Sequence, residues 1–212
     1  MHSLSMLVEG YRRFLDTRHR EQADLYQRLG AHGQSPKVMV IACSDSRIDP
    51  ASIFDAAPGE LFVVRNVANL VPPYEPHGDY HGTSAAIEFA TTGLEVEHIL
   101  VMGHAQCGGV KAFLNGLYAP DRESTFISRW MSIMNPARAE ALRRAPHSDE
   151  DELQRETEFA AVRCSLENLT TFPFVKERLD DGRLKLHGAY FGIANGELLG
   201  FDPETGNFRP VS

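Results

Sequence analysis

The chain has 212 residues, with 21 Lys and Arg against 29 Asp and Glu, for a formal charge of −8. A hydrophobic content of 42% at this length suits one globular domain with a sizeable core and excludes global disorder or a fibrous fold. The acidic balance argues against a nucleic-acid binder, which needs surplus Lys and Arg on one face, and no apolar run reaches the roughly 18 residues of a membrane span.

Near the start, Glu9, Arg12 and Arg13 stand where a secretory signal would be apolar, which points to a cytoplasmic protein. From Leu4 to about Leu29 the residues Leu7, Tyr11, Phe14, Leu15, Leu25, Tyr26 and Leu29 recur at helical spacing, and Gly30 and Gly33 stop the run. The pattern predicts a helical arm over residues 1–33. KVMVIAC (37–43) reads as a fully apolar strand and SDSRIDP as a polar loop, followed by a short helix from about Ala51 to Asp55 and a second strand, ELFVVRN (60–66). A loop rich in Pro and Gly, Ala68 to Tyr80, precedes a helix capped by Thr83 or Ser84 and ending near Gly93. HILVMG (98–103) is a third strand that enters another helix through a glycine-rich turn.

Ser124 to about Phe172 reads as helical, interrupted at Pro136 and Pro146, with Phe159, Val162, Leu166 and Leu169 on one stripe. The segment LKLHGAYFGIANGELLGF (184–201) reads as a strand, an Asn195–Gly196 turn and an edge strand. Apolar strands alternating with helices predict an α/β fold: a mainly parallel central sheet with flanking helices, an N-terminal arm and a C-terminal edge hairpin, in a single domain over 1–212. Ligands in such sheets collect at the carboxyl ends of the strands.

Two segments fall at those ends: CSDSR (43–47) after the first strand and GHAQCGG (103–109) after the third. Cys43, His104 and Cys107 offer two thiolates and an imidazole, a soft set suited to one tetrahedral Zn²⁺ with an open fourth position. Asp45 stands two residues from a thiolate, in reach of that position or of a water there, and Arg47 is placed to hold its carboxylate in a bidentate pair. A closed structural site of Cys43, Asp45, His104 and Cys107 is the direct competitor. Backbone N–H groups of Gly108 and Gly109 open the next helix and would favour an anion there.

CSDSR, with PGELFVVRNVANLVPPY (58–74) and EVEHILVMGHAQCGGV (95–110), resembles the β-class carbonic anhydrases, closely from Gly33 to Val110 and more loosely through LHGAYFGI. The resemblance implies a zinc lyase that interconverts CO2 and bicarbonate with a hydroxide nucleophile, built as a homodimer or a dimer of dimers whose pockets draw on both chains. It makes Cys43, His104 and Cys107 the permanent zinc ligands, Asp45 the exchangeable fourth ligand or catalytic partner, and Arg47 its anchor. GQSPKVMVIAC is similar to the plant-type branch, where Gln34 would bond a substrate oxygen. Phe62, Val67 and Phe89 would line a small apolar pocket, with Phe89 in place of the usual Tyr. A noncatalytic bicarbonate site found in another branch would map to Val40, Arg65 and Phe191, with only the Arg retained and with Tyr190 next door. Relatives that hydrolyse CS2 or COS share these motifs, and a noncatalytic zinc-stabilised dimer stays open as an alternative.

The remaining chemistry-bearing residues have quieter readings. Three cysteines suggest reduced thiols, and Cys164 reads as core or interface filler. His77 and His81 lie in a loop where they would be solvated or pass protons. The acidic clusters Asp149 to Glu152 and Glu156 to Glu158 read as a solvated helix face.

Overall fold

The computed structural model describes residues 4–78, 80–118 and 125–211. Among them six strands form one sheet in the order β2-β1-β3-β4-β5-β6: β1 (Val38–Cys43), β2 (Leu61–Asn66), β3 (His98–His104), β4 (Lys185–Phe191), β5 (Leu198–Asp202) and β6 (Asn207–Pro210). The first four are parallel, with Val38 opposite Leu61 and His98, and His98 opposite Lys185; β5 and β6 are antiparallel additions. Helical crossovers link the parallel strands and cover the sheet, so β1 is buried on both faces. Val40 and Ala42 enter one core cluster, Met39 and Ile41 the other. Each of the fully buried Val, Met and Ile side chains contributes about 1.5–3 kcal/mol.

The arm is helical but broken. Helix α1 (Leu4–Phe14) runs into a π-helical turn (Leu15–His19), and α2 (Ala23–His32) follows a turn at Gln22. Gly30 sits inside α2, which tolerates its cost of about 1 kcal/mol relative to Ala. Gly33, with φ of 76°, ends the helix in a conformation that side chains disfavour. Neither helix has a buried residue, and Leu4, Leu7, Val8 and Tyr11 are exposed.

After β1, Asp49 caps α3 (Pro50–Ile53) by accepting from the Ser52 N–H. Helix α4 (Gly82–Glu88) starts at His81 instead of Thr83 or Ser84, because the Thr83 hydroxyl is engaged by the Asn66 amide at 3.3 Å. A π-helical turn (Phe89–Gly93) completes it. Helix α5 (Gly108–Leu114) follows β3.

The predicted start at Ser124 lies outside the described residues. Beyond it come α6 (Phe126–Met131), α7 (Asn135–Arg144), α8 (Glu150–Leu169) and α9 (Pro173–Asp180). Pro136 interrupts nothing: it lies in the first turn of α7, where its missing N–H is no loss. Helix α8 begins at Asp149, whose carboxylate accepts from the Glu152 N–H at 2.9 Å. It lies hard against the sheet. A Cβ on Gly103 would stand 2.8 Å from Val162 Cγ2, and one on Gly188 3.0 Å from Val162 Cγ1, so only glycine admits this approach.

The C-terminal hairpin differs from expectation. Phe191 pairs with Leu198, so Asn195 and Gly196 lie in a longer loop over 192–197, and β5 is interior because β6 is added outside it.

Candidate metal centre

The parallel register brings two loops together. β1 ends at Cys43, opposite Asn66, and β3 ends at His104, opposite Phe191. Ala105 N–H bonds back to the Phe191 carbonyl, and Gln106, with φ of 56°, turns the chain so that Cys107 returns beside His104. Cys43, His104 and Cys107 are all buried, and one donor atom from each lies within 4.8 Å of the others. The two sulfurs are 3.9 Å apart. Thiolates at about 2.3 Å from a tetrahedral zinc would be roughly 3.8 Å apart. His104 Nδ1 pairs with the Ala105 carbonyl at 3.0 Å, and Nε2 is buried with no hydrogen-bond partner. An orphaned imidazole nitrogen beside two close, unbridged thiols fits a zinc ion.

The loop electrostatics favour such a site. The Cys43 thiol is lowered to about 4, first by the hydrogen bond from Cys107 against the effect of burial, with His104 and the N–H groups of Asp45 and Ala68 helping. The same contact and burial push Cys107 up, so the pair shares one proton. Burial opposes a charged His104, yet the adjacent Cys43 thiolate, the Ala105 carbonyl and the charge of Asp45 raise it on balance.

Asp45 stands off the triad, with Oδ2 3.9 Å from His104 Nε2. Arg47 holds it by its backbone N–H and Nε on Oδ1 and by Nη2 on Oδ2, and the guanidinium keeps the carboxyl well below the usual range. Arg47 Nη2 also donates to the Gln106 carbonyl at 2.9 Å, tying the first ligand loop to the second. Arg65 secures the first loop from below, with Nε on the Cys43 carbonyl at 3.0 Å and Nη2 on those of Asp45 and Ile48 at 2.6 Å each.

The turn Val67–Asn69 supplies the N–H that meets Cys43. Ala68 and Asn69 are both left-handed, with φ of 63° and 49°. Such a conformation costs an ordinary residue about 1–3 kcal/mol and persists only where its surroundings hold it. Here Asn66 brackets Leu70, Ser165 bonds the Val71 N–H and the Asn69 carbonyl, and Asn168 takes the Val71 carbonyl.

The other candidates disperse. Val67 lines an open cleft of about 870 Å³ with Ser44, His81, Ser84 and Trp130. Phe62 and Phe89 pack together at 5.8 Å between ring centroids, with Phe89 half exposed, and Gln34 is exposed between α2 and β1. None of these three lines that cleft in its own chain. Gly108 and Gly109 open α5, and the Gly109 N–H acts to lower the Cys107 thiol. Arg65 spends Nε and Nη2 on carbonyls, not on an anion pocket.

One feature escapes the sequence reading. Glu158 is 3% exposed, so the acidic cluster is not wholly a solvated face: its carboxylate accepts from the Cys107 N–H, Gln154 and the Tyr190 hydroxyl. Burial raises its pKa against those donors. Cys164 is buried as expected, its thiol pushed up to about 11 by burial.

The carbonic anhydrase family model matches residues 38–198. The chain is 39% identical over 168 residues to the mitochondrial β carbonic anhydrase 6 of Arabidopsis thaliana, covering 79% of this chain and 57% of that protein's length. It is 34% identical over 199 residues to a carbonic anhydrase of Synechocystis, covering 94% and 71%. Among solved structures it is similar to the β-carbonic anhydrase CcaA, with a TM-score of 0.90 and 33% identity over 99% of this chain and 92% of that one. The Coccomyxa β-carbonic anhydrase in complex with acetazolamide gives 0.80 and 26% over 100% and 89%. With the family match spanning most of the sheet and both ligand loops, the chain belongs to the β-class carbonic anhydrases.

Proposed function

We propose that the protein binds one Zn²⁺ per chain at Cys43, His104 and Cys107 and catalyses the reversible hydration of CO2 to bicarbonate and a proton. The carrying observation is the 3.9 Å sulfur pair beside the partnerless Nε2 of His104. Zinc there supplies Lewis acidity that lowers the pKa of a water in its open position toward neutrality. Asp45 is the acceptor that orients the attacking oxygen by accepting its hydrogen bond, and Arg47 keeps that carboxylate ionised and aimed. Because Arg47 engages both carboxylate oxygens and holds Asp45 off the triad, a bound zinc would have three protein ligands, which favours catalysis over a closed structural site.

Phe62, Val67 and Phe89 form the apolar surface for CO2, Gln34 bonds a substrate oxygen, and the Gly108 N–H favours the anionic product. Gln34, Phe62 and Phe89 serve a neighbouring chain's triad, a reading supported by the family resemblance, in which pockets draw on both chains, and by the exposure of Gln34 and Phe89. The assembly is accordingly a homodimer or a dimer of dimers, with the arm over 1–33 packed on a second protomer.

The test is zinc stoichiometry together with stopped-flow CO2 hydration. One zinc per chain with hydration that is lost with the metal in Cys43→Ser and His104→Ala is expected. Zinc without hydration, or turnover of CS2 alone, overturns the reading.

A further inference from the structure

Helix α8 meets the metal centre from behind, and its contact is polar and buried. Glu158 Oε1 accepts from the Cys107 N–H at 2.8 Å and from Gln154 Nε2 at 2.9 Å, while Oε2 accepts from the Tyr190 hydroxyl at 2.7 Å. Gln154 Nε2 also reaches the Cys107 carbonyl at 3.5 Å. Tyr190 comes from β4, opposite Gly103, and its ring is fixed edge-on against Phe159 at 4.6 Å. Three elements thus converge on one carboxylate.

We propose that Glu158, with Tyr190 as its support, is a positioning residue for the metal ligand Cys107. It touches neither metal nor substrate. The sulfur is separated from the Cys107 backbone nitrogen by Cα and Cβ alone, so fixing that nitrogen leaves mainly rotation about Cα–Cβ. The N–H groups of Gly109 and Val110 meet the sulfur and restrict that rotation too. Without Glu158 the Cys107 N–H would be a buried donor with no acceptor, and the turn would shift to reach water.

Helix α8 also steadies the other thiolate through Ser165 and Asn168, which hold the strained turn whose Ala68 N–H meets Cys43. The glycines at 103 and 188 permit the approach that all these contacts need. Outer partners of this kind change metal affinity by about 10- to 100-fold when lost.

The proposal rests on the zinc reading above, so wild-type zinc content is measured first. A wild-type chain that holds no zinc overturns that reading and this inference together, before any variant is made. Glu158→Ala, Glu158→Gln, Tyr190→Phe and the helix control Thr157→Val are then compared by chelator competition for zinc, by the thiolate-to-metal absorption of the Cd²⁺-loaded protein, and by thermal unfolding.

Glu158→Ala is expected to weaken zinc by about 10- to 100-fold and to alter the absorption band. Glu158→Gln, which keeps an acceptor oxygen for the Cys107 N–H, should recover most of that loss. Thr157→Val should lower the melting temperature without moving zinc affinity. Tyr190→Phe should weaken zinc by a few-fold, to about 10-fold at most, and it decides the matter if Glu158→Ala fails to fold. Wild-type zinc affinity and absorption in folded Glu158→Ala, or in Tyr190→Phe where the alanine variant is unfolded, would overturn the proposal.

Discussion

Arg47 closes on Asp45 through three donors: its own N–H at 3.0 Å, Nε at 2.9 Å and Nη2 at 2.7 Å. The pair is two residues long in sequence and fixes the carboxylate in plane with the guanidinium, a match that Lys could not reproduce. Asp45→Asn should therefore keep its zinc and lose CO2 hydration on the order of 10²-fold, since an amide cannot serve as the charged acceptor. Metal analysis beside stopped-flow rates checks this, and wild-type turnover in the variant would end the catalytic assignment.

The same pairing sets an acid dependence of stability. Arg47 depresses the folded carboxyl of Asp45, so its contribution is fully present above the unfolded pKa of about 3.9 and is lost as pH falls through the lower folded value. The metal-free wild type should exceed Asp45→Asn in denaturant midpoint by a constant margin from pH 5 to 8. That margin should narrow below about pH 4, where the unfolded carboxyl protonates. A margin that grows with acid would contradict the sign.

Metal uptake should move protons. Near neutrality Cys43 is a thiolate and Cys107 holds its proton, so zinc must displace the Cys107 proton, and any that the raised His104 carries is displaced with it. Titration calorimetry in buffers of different ionisation enthalpy should report roughly one to two protons released per zinc at pH 7, and affinity that climbs with pH. Binding with no proton release would show that the thiols are ionised before metal arrives.

The legibility of this chain in its sequence was uneven, for physical reasons. Cys43, His104 and Cys107 could be read because each sits where an apolar strand stops, and strand ends are where such sheets gather ligands. Glu158 could not, since EDELQRETE offers five acids and only packing against Tyr190 and Cys107 separates the buried one from the rest. Strand β6 is four residues ending in Pro, too short for alternation to register, and exists because β5 offers an edge to pair with. Thr83 has the chemistry of a helix cap, yet Asn66 claims its hydroxyl across the fold.

Removal of residues 1–30 should impair assembly and activity together. The arm buries none of its own residues, and Leu4 and Leu7 are 75% and 64% exposed, so its apolar face awaits a second chain. Light scattering coupled to chromatography, with hydration rates on the same fractions, tests this. An active and fully monomeric truncation would sink the idea.

Bicarbonate should not switch this protein off cooperatively. Val40 is fully buried, Phe191 packs against the same cluster, Arg65 donates to carbonyls and the Tyr190 hydroxyl is held by Glu158. An anion there would lack donors, and each missing bond to a charged group is worth about 1.5–3 kcal/mol. Hydration rates against added bicarbonate at neutral pH should fall, if at all, along a simple hyperbola; a sigmoidal loss would refute this.

The three carbonyls gripped by Arg65 carry a kinetic meaning. A loop tied at Cys43, Asp45 and Ile48 to the side chain of a sheet strand cannot open alone, because release would strand a guanidinium and three carbonyls at once. Its local opening free energy is thereby tied to that of the β1–β2 ladder, and amide exchange at Ile48 should slow to the pace of the strands. The Asp45 carboxylate is then held in place before any substrate arrives, with no loop closure needed to position it.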